Sequence, residues 1–196
     1  MATLIDNTYF TGSIAIAQKS QAEVAANLTA YIMQYEPEYL QKVLGYSFYK
    51  DFIAGLEEDP VPQKWADLLN GADFTSLDGK LKHWAGFVAG EGASKLSPIA
   101  NYVYWQFRMY NSTLTTGTGE NVSMNENSVQ ISPARKMCDA WNTMVNTNWV
   151  LWEFLFVNKD TYDLDGSDFV IFNSCGYALR GAAWGDMAYK VNDFDL

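Results

Sequence analysis

A chain of 196 residues amounts to one domain or one and a half, long enough to bury about 70% of the surface its unfolded form exposes without disulfide or metal staples. Its 48% hydrophobic and 15% aromatic content, with 7 Trp, 12 Tyr and 11 Phe, excludes a disordered chain and leaves a surplus of large rings of the kind enriched at protein interfaces. With Lys+Arg 13 against Asp+Glu 23, the net charge of -10 opposes sequence-independent affinity for nucleic acid, which comes from neutralising phosphates.

The opening stretch, residues 1 to 20, has no basic segment followed by an apolar one, and no run of 18 apolar residues occurs in the chain. Neither secretion nor membrane spanning is expected. After Ser20, the residues Ala22, Val24, Ala25, Leu28, Ile32 and Met33 recur at helical spacing and predict a helix over about 20 to 35. Glu36-Pro37 is a start signal for a second helix with Leu40, Val43 and Leu44 on its apolar face, ended by Gly45. Ser47 opens a third, carrying Phe48, Phe52 and Ile53 as far as Glu57-Glu58-Asp59 and Pro60. Pro62 begins a short fourth helix with Trp65, Leu68 and Leu69 inward and Gly71 as its stop.

The period then shifts toward two. Residues 74 to 84, Phe-Thr-Ser-Leu-Asp-Gly-Lys-Leu-Lys-His-Trp, place Asp-Gly between short flanks, the strongest local hairpin signal. Gly86, Gly90 and Gly92 make the next stretch poor helix and poor strand. Ser97-Pro98 starts a helix with Ile99, Tyr102, Val103, Gln106, Met109 and Tyr110 on one face, ending near Thr113. Residues 114 to 131 lack helical period and read as a long loop, a candidate contact segment. Ser132-Pro133 then launches the longest helix, with Met137, Ala140, Trp141, Met144, Val145, Trp152, Leu155 and Phe156 on its stripe and Trp149 and Phe154 off it. Past Asn158 come Asp163, Asp165, Gly166 and Asp168, then Phe169-Val-Ile-Phe172 and a Gly-rich tail with Trp184, Tyr189 and Phe194. That tail is too apolar to float, so it packs as an extended arm on its own domain or on a neighbour.

Chemistry-bearing patterns are sparse. His83 is the single histidine, and no Gly-x-Ser-x-Gly elbow exposes a serine nucleophile. Cys138 and Cys175 are isolated thiols, too few for a disulfide framework or a metal cluster. The run from Asp163 to Asp168 fails as a calcium loop, because Phe172 stands where position twelve needs a glutamate, and it reads as an acidic turn. Gly117-Thr-Gly119 lacks the third glycine and the flanking elements that phosphate binding requires. The pairs Glu36 with Glu38 and Glu57 with Glu58 lie at predicted helix edges and read as solvated charge rather than as glycosidase-type acid and base. No catalytic residue, metal ligand or cofactor is assigned.

Two segments carry a resemblance. Residues 35 to 52, Tyr-Glu-Pro-Glu-Tyr-Leu-Gln-Lys-Val-Leu-Gly-Tyr-Ser-Phe-Tyr-Lys-Asp-Phe, together with Ser97-Pro-Ile-Ala-Asn-Tyr-Val-Tyr-Trp-Gln-Phe and Ser132-Pro-Ala-Arg-Lys-Met-Cys-Asp-Ala-Trp-Asn, joined through an Asn-Glu-Asn-Ser loop, resemble head-to-tail connector proteins (adaptors, or neck rings) of tailed phages of Bacteroidetes, including the crAss-like group. The resemblance spans about residues 20 to 158 and leaves the tail unmatched. It implies a virion subunit of the neck, made in the host cytoplasm and assembled as a homo-oligomeric ring of twelve copies. Such a ring docks on the portal protein, meets the next neck or tail ring protein, and extends the channel through which DNA passes without specific binding during packaging and ejection.

The expectation is therefore a mainly α fold: a helical bundle over residues 1 to 158 with a small β-hairpin near 74 to 84 and the long loop, followed by an extended C-terminal arm over 159 to 196. Candidate interface residues are Thr116, Asn121, Met124 and Asn127 in the loop, and Phe169, Phe172, Trp184, Tyr189 and Phe194 in the arm. Alternatives are a tail completion or capsid accessory protein, a small carboxylate-based hydrolase, and a monomeric ligand-binding module with Trp149 or Trp184 as its platform.

Overall fold

The computed structural model describes residues 3–88, 95–111, 114–116, 119–121, 134–172, 176–183 and 187–190. Its architecture is mainly helical, with helices α1 (Ala22–Leu44), α2 (Tyr46–Leu56), α3 (Gln63–Asn70), α4 (Pro98–Tyr110) and α5 (Ala134–Val157). Three antiparallel strand pairs accompany them: β1 (Ala72–Thr75) with β2 (Leu81–Trp84), β3 (Leu114–Thr116) with β4 (Gly119–Asn121), and β5 (Phe169–Phe172) with β6 (Gly176–Leu179). Among the described residues, no helix is long and apolar enough to cross a membrane.

The Glu36-Pro37 start signal does not divide the first helix. α1 runs for 23 residues with Pro37 inside it. An interior proline costs a helix about 3 kcal/mol, and here the continuous buried stripe of Leu28, Ile32, Tyr35, Tyr39, Leu40, Val43 and Leu44 outweighs that loss. Tertiary burial overrides the local signal.

α4 packs against both α1 and α5. Tyr31 meets Phe107 with ring centroids 5.3 Å apart, and Tyr39 meets Tyr102 at 5.5 Å, so α4 runs antiparallel to α1. Trp141 of α5 packs on Tyr102 at 6.0 Å and on Trp105 at 4.8 Å. The Trp152 indole N–H donates to the Val43 carbonyl at 3.2 Å and fastens α5 directly to α1. α4 begins as its Ser97-Pro98 signal predicts, with the Ser97 hydroxyl accepting from the Ala100 N–H at the N-cap.

The hairpin at 74 to 84 forms in the predicted place, with Thr75 opposite Leu81 and Asp73 opposite His83. Its inner residues Phe74 and Trp84 pack on Phe154. Phe154 is therefore core, although it lies off the predicted stripe. α5 carries helices on one side and this hairpin on another, so it is apolar over much more than one face. The hairpin also abuts α3 backbone to backbone. A Cβ on Gly71 would sit 2.4 Å from the Trp84 carbonyl oxygen, and one on Gly86 would sit 2.5 Å from the Asn70 carbonyl carbon. Both glycines have positive φ, 97° and 84°, and only a residue without a side chain fits either place.

Three more segments add to or change the sequence reading. Residues 3 to 19 form a strap with short 3-10 turns at Asn7–Tyr9 and Gly12–Ile14, and its Ile5, Tyr9, Phe10, Ile14 and Ile16 are buried in the core. The long loop includes the β3–β4 ladder instead of being irregular from its start at residue 114. The extended arm is also partly regular. It turns back as the β5–β6 hairpin, and its Phe169, Ala178, Leu179 and Met187 belong to the same core as the helices.

Candidate functional site

A cleft of about 540 Å³ opens where α1 turns into α2. Gly45 makes this corner. It ends α1 and precedes α2 with φ 75°, and a Cβ there would lie 3.3 Å from the Arg180 carbonyl oxygen. The floor is aromatic: Trp65 packs on Phe48 at 5.6 Å, on Phe52 at 5.9 Å and on Tyr162 at 5.8 Å. The rim is charged. Lys64 pairs with Asp163 at 3.1 Å and lies over the Trp65 ring, while Arg180 donates through Nε to the Ser167 carbonyl and through its backbone N–H to the Asp168 carbonyl.

Near the cleft, the run from Asp163 to Asp168 forms a self-capped turn. Asp165 accepts from the Ser167 N–H, and the Asp168 carboxylate reaches back to the Asp165 N–H. The Ser167 hydroxyl, and then its N–H, hold the Asp165 carboxyl below its ordinary range. Among the described residues, no group of three or more His, Cys, Asp or Glu is placed to hold a metal ion. The Tyr162 hydroxyl donates to the Lys64 carbonyl at 2.9 Å, and burial pushes the phenol well above its ordinary value. That phenol stays protonated at neutral pH. The cleft thus combines a floor of aromatic rings with a mixed-charge rim.

Three further polar clusters are internally paired. Lys42 donates to Glu38 at 2.9 Å and to the Tyr102 oxygen at 3.1 Å, and the Tyr102 hydroxyl donates to Glu38 at 2.7 Å. Burial, with the Glu38 bond, pushes Tyr102 up to about 12. Burial works against the Lys42 charge, but Glu38 and Tyr102 win and raise it. Neither group is poised as a base. At the hairpin, Glu153 of α5 binds Lys82 at 2.8 Å and Ser76 Oγ at 2.6 Å. His83 lies 2.7 Å from Asp73, its cross-strand neighbour, on the exposed face.

Glu36 corrects its sequence reading. It is no solvated helix-end charge: it sits inside α1 at 5% exposure. Its carboxylate accepts from the Leu4 N–H at 2.8 and 3.0 Å and from the Ile5 N–H at 3.1 Å. Its partners are main-chain amides, which leave no mark in a sequence. Glu38 and Asp163 are likewise engaged, with Lys42 and Lys64.

The predicted interface residues are placed as follows. Thr116 and Asn121 lie in β3 and β4, while Met124, Asn127, Trp184 and Phe194 lie outside the described residues. Phe169 is buried, with its ring 5.1 Å from Phe156, and so is core rather than an exposed contact. The reason is that the β5–β6 hairpin folds back onto α5. Phe172 lies in β5 opposite Gly176. Tyr189 is exposed and donates to Asn146 Oδ1 at 2.6 Å. Its neighbours are clamped: the Trp141 indole donates to the Ala188 carbonyl, Asn142 exchanges two hydrogen bonds with the Lys190 backbone, and the Lys190 ammonium lies 4.3 Å from the Trp141 ring.

Sequence patterning singles out Tyr189 but not Leu77, Leu81 or Tyr46 among the large apolar side chains that the fold leaves outside, and it sets Tyr110 on the packed face of α4. Leu77 and Leu81 flank the hairpin turn at 60% and 75% exposure, and Tyr46 lines the cleft at 65%. Tyr110 at the end of α4 is 56% exposed. The Asp-Gly turn was the available signal for the leucine pair, since a hairpin tip projects whatever flanks it. No family model, no curated protein and no solved structure matches this chain.

Proposed function

We propose that this chain is a non-catalytic virion subunit of a phage neck. In this reading it forms a ring of twelve copies that joins the portal vertex to the tail and extends the DNA channel. The observation that carries the reading is the set of large apolar side chains held outside a well-filled core, with Leu77 and Leu81 at the hairpin tip, Tyr46 at the cleft and Tyr110 at the end of α4. A ring contact is head to tail, so two different flanks must each present something to bury. The hairpin tip and the cleft are two such features, formed from different parts of the chain. The resemblance of residues 35 to 52 and of the Ser97 and Ser132 segments to neck-ring proteins supports the same reading. So does the net charge of -10, which suits a channel through which DNA slides without sticking.

The test is to purify the chain alone and with the portal protein of its own phage, measure particle masses and image the complex. A closed ring seated on the portal is expected. Monomers alone, and monomers in the presence of portal, would overturn the reading.

A further inference from the structure

We propose that the N-terminal strap, residues 3 to 16, is exchanged between copies: each subunit in the assembled ring lays its strap along α1 and α5 of the next. The proposal rests on the ring reading above and names the element by which one copy holds another.

The strap is a self-contained unit. Its main-chain hydrogen bonds run within itself, from the Tyr9 N–H to Asp6, Ile14 to Thr11, and Ala15 to Gly12. Its grip on the body is made through side chains. Glu36 holds the Leu4 and Ile5 amides, Asn7 Nδ2 donates to the Ala25 carbonyl at 3.1 Å, and Lys95 donates to Thr8 Oγ1 at 2.6 Å. Ile5, Phe10 and Ile14 fill the core beneath. Every one of these contacts can be remade with the strap of another copy, because the groove offers side chains and apolar surface rather than a continuous strand ladder.

When an identical element is exchanged, its own contacts cancel in the balance between closed and exchanged forms. The hinge and the proximity of the partner decide what remains. Here the hinge is strained. The strap folds back through a turn at residues 17 to 20, where Gln18 has φ 57°, a left-handed conformation that a residue with a Cβ adopts at a steric penalty and glycine does not. Straightening residues 17 to 21 removes that penalty while giving up the Gln21 N–H to Gln18 carbonyl bond of 2.8 Å to water, and spans about 17 Å, roughly one and a half helix diameters. A ring holds the neighbouring groove permanently close, which favours exchange through high effective concentration.

The experiment uses the full chain with Cys138→Ser and Cys175→Ser. Two differently tagged forms are co-expressed, one with Asn7→Cys and one with Thr29→Cys, positions whose side chains lie 3.4 Å apart across the strap contact. Circular dichroism checks that each variant folds. A disulfide joining the two tags in the ring fraction is the expected result. Hinge variants supply a second readout: Gln18→Gly, which relieves the closed turn, should lower the cross-chain fraction about fivefold, and Gln18→Val, which cannot hold positive φ, should raise it by a similar factor. Rings with no cross-chain disulfide, in which a chain carrying both cysteines closes only on itself, would overturn the exchange and leave the ring standing. Hinge variants that leave the fraction unmoved, or move it the other way, would also overturn it. Monomers alone and with portal would overturn the ring reading and the exchange together.

Discussion

The phenol of Tyr39 donates to Oδ1 of Asn148 at 2.5 Å, tying α1 to α5 across 109 positions of sequence. Both side chains are fully buried, and the Asn148 Nδ2 has no hydrogen-bond partner among the described residues. Burial drives the Tyr39 phenol well above its ordinary value, so it remains a donor across the physiological range. Tyr39→Phe leaves the Asn148 carbonyl oxygen unpaired as well, and is expected to cost about 1 to 3 kcal/mol in urea unfolding. Tyr39→Phe with Asn148→Leu removes the polar pair together and should lose less than the sum of the two single changes. Strict additivity would show that the two residues do not act as a pair.

Gly55 of α2 has no room for a side chain. A Cβ there would lie 1.9 Å from the indole nitrogen of Trp65, which is wedged among Phe48, Phe52 and Tyr162. Elsewhere in a helix, Gly→Ala gains about 1 kcal/mol of propensity. Here Gly55→Ala should instead be destabilising by about 1 to 3 kcal/mol through overpacking, lowering the thermal midpoint by several degrees. A midpoint that rises would mean Trp65 can move aside freely.

The elements that were legible share one property: their signals are local. Ser97-Pro98 marks the start of α4 because a hydroxyl cap and a proline act within one turn, and Asp78-Gly79 marks the hairpin because a tight turn is a two-residue event. What was hidden depends on partners far away in sequence. Pro37 reads as a boundary until Tyr39, Leu40 and Val43 are seen to continue the buried stripe begun by Leu28 and Ile32. Phe154 reads as off the stripe until the hairpin covers it. At the candidate cleft, helical spacing turns Trp65 inward, but nothing in the sequence signals the approach of Arg180 to Gly45, since a backbone contact across more than 130 positions leaves no local pattern.

Glu36 gives a pH signature. Burial raises its carboxyl above the ordinary value, and the amides of Leu4 and Ile5 offset this only in part. A group whose folded pKa is raised contributes stability that is full below its unfolded pKa and is lost as pH rises through the folded pKa. Lowering the pH from 7 toward 4 should therefore shift the difference in unfolding free energy between wild type and Glu36→Gln in favour of wild type. A difference that does not change over that range would contradict the raised pKa. Glu36→Ala, which leaves the Leu4 and Ile5 amides without their acceptor, should cost more than Glu36→Gln at pH 7, by about 1 to 3 kcal/mol. Faster hydrogen exchange at Leu4 and Ile5 is the local readout.

The last described residues test how far the C-terminal segment belongs to the core. Met187 is fully buried, the Ala188 carbonyl accepts from the Trp141 indole, and Asn142 brackets the Lys190 backbone with two bonds of 2.9 Å. The Lys190 ammonium lies 4.3 Å from the Trp141 ring and 5.1 Å from the Trp105 ring. A segment docked only as an arm would leave the body's stability unchanged when cut. Deleting residues 187 to 196 should instead cost about 2 to 5 kcal/mol, the range for emptying a buried methionine site. Lys190→Ala, which removes only the cation and its stem, should cost about 0.5 to 2 kcal/mol. Urea unfolding of both variants separates the contributions. If the deletion costs no more than Lys190→Ala, neither Met187 nor the backbone clamp contributes, and the segment is held by the lysine alone.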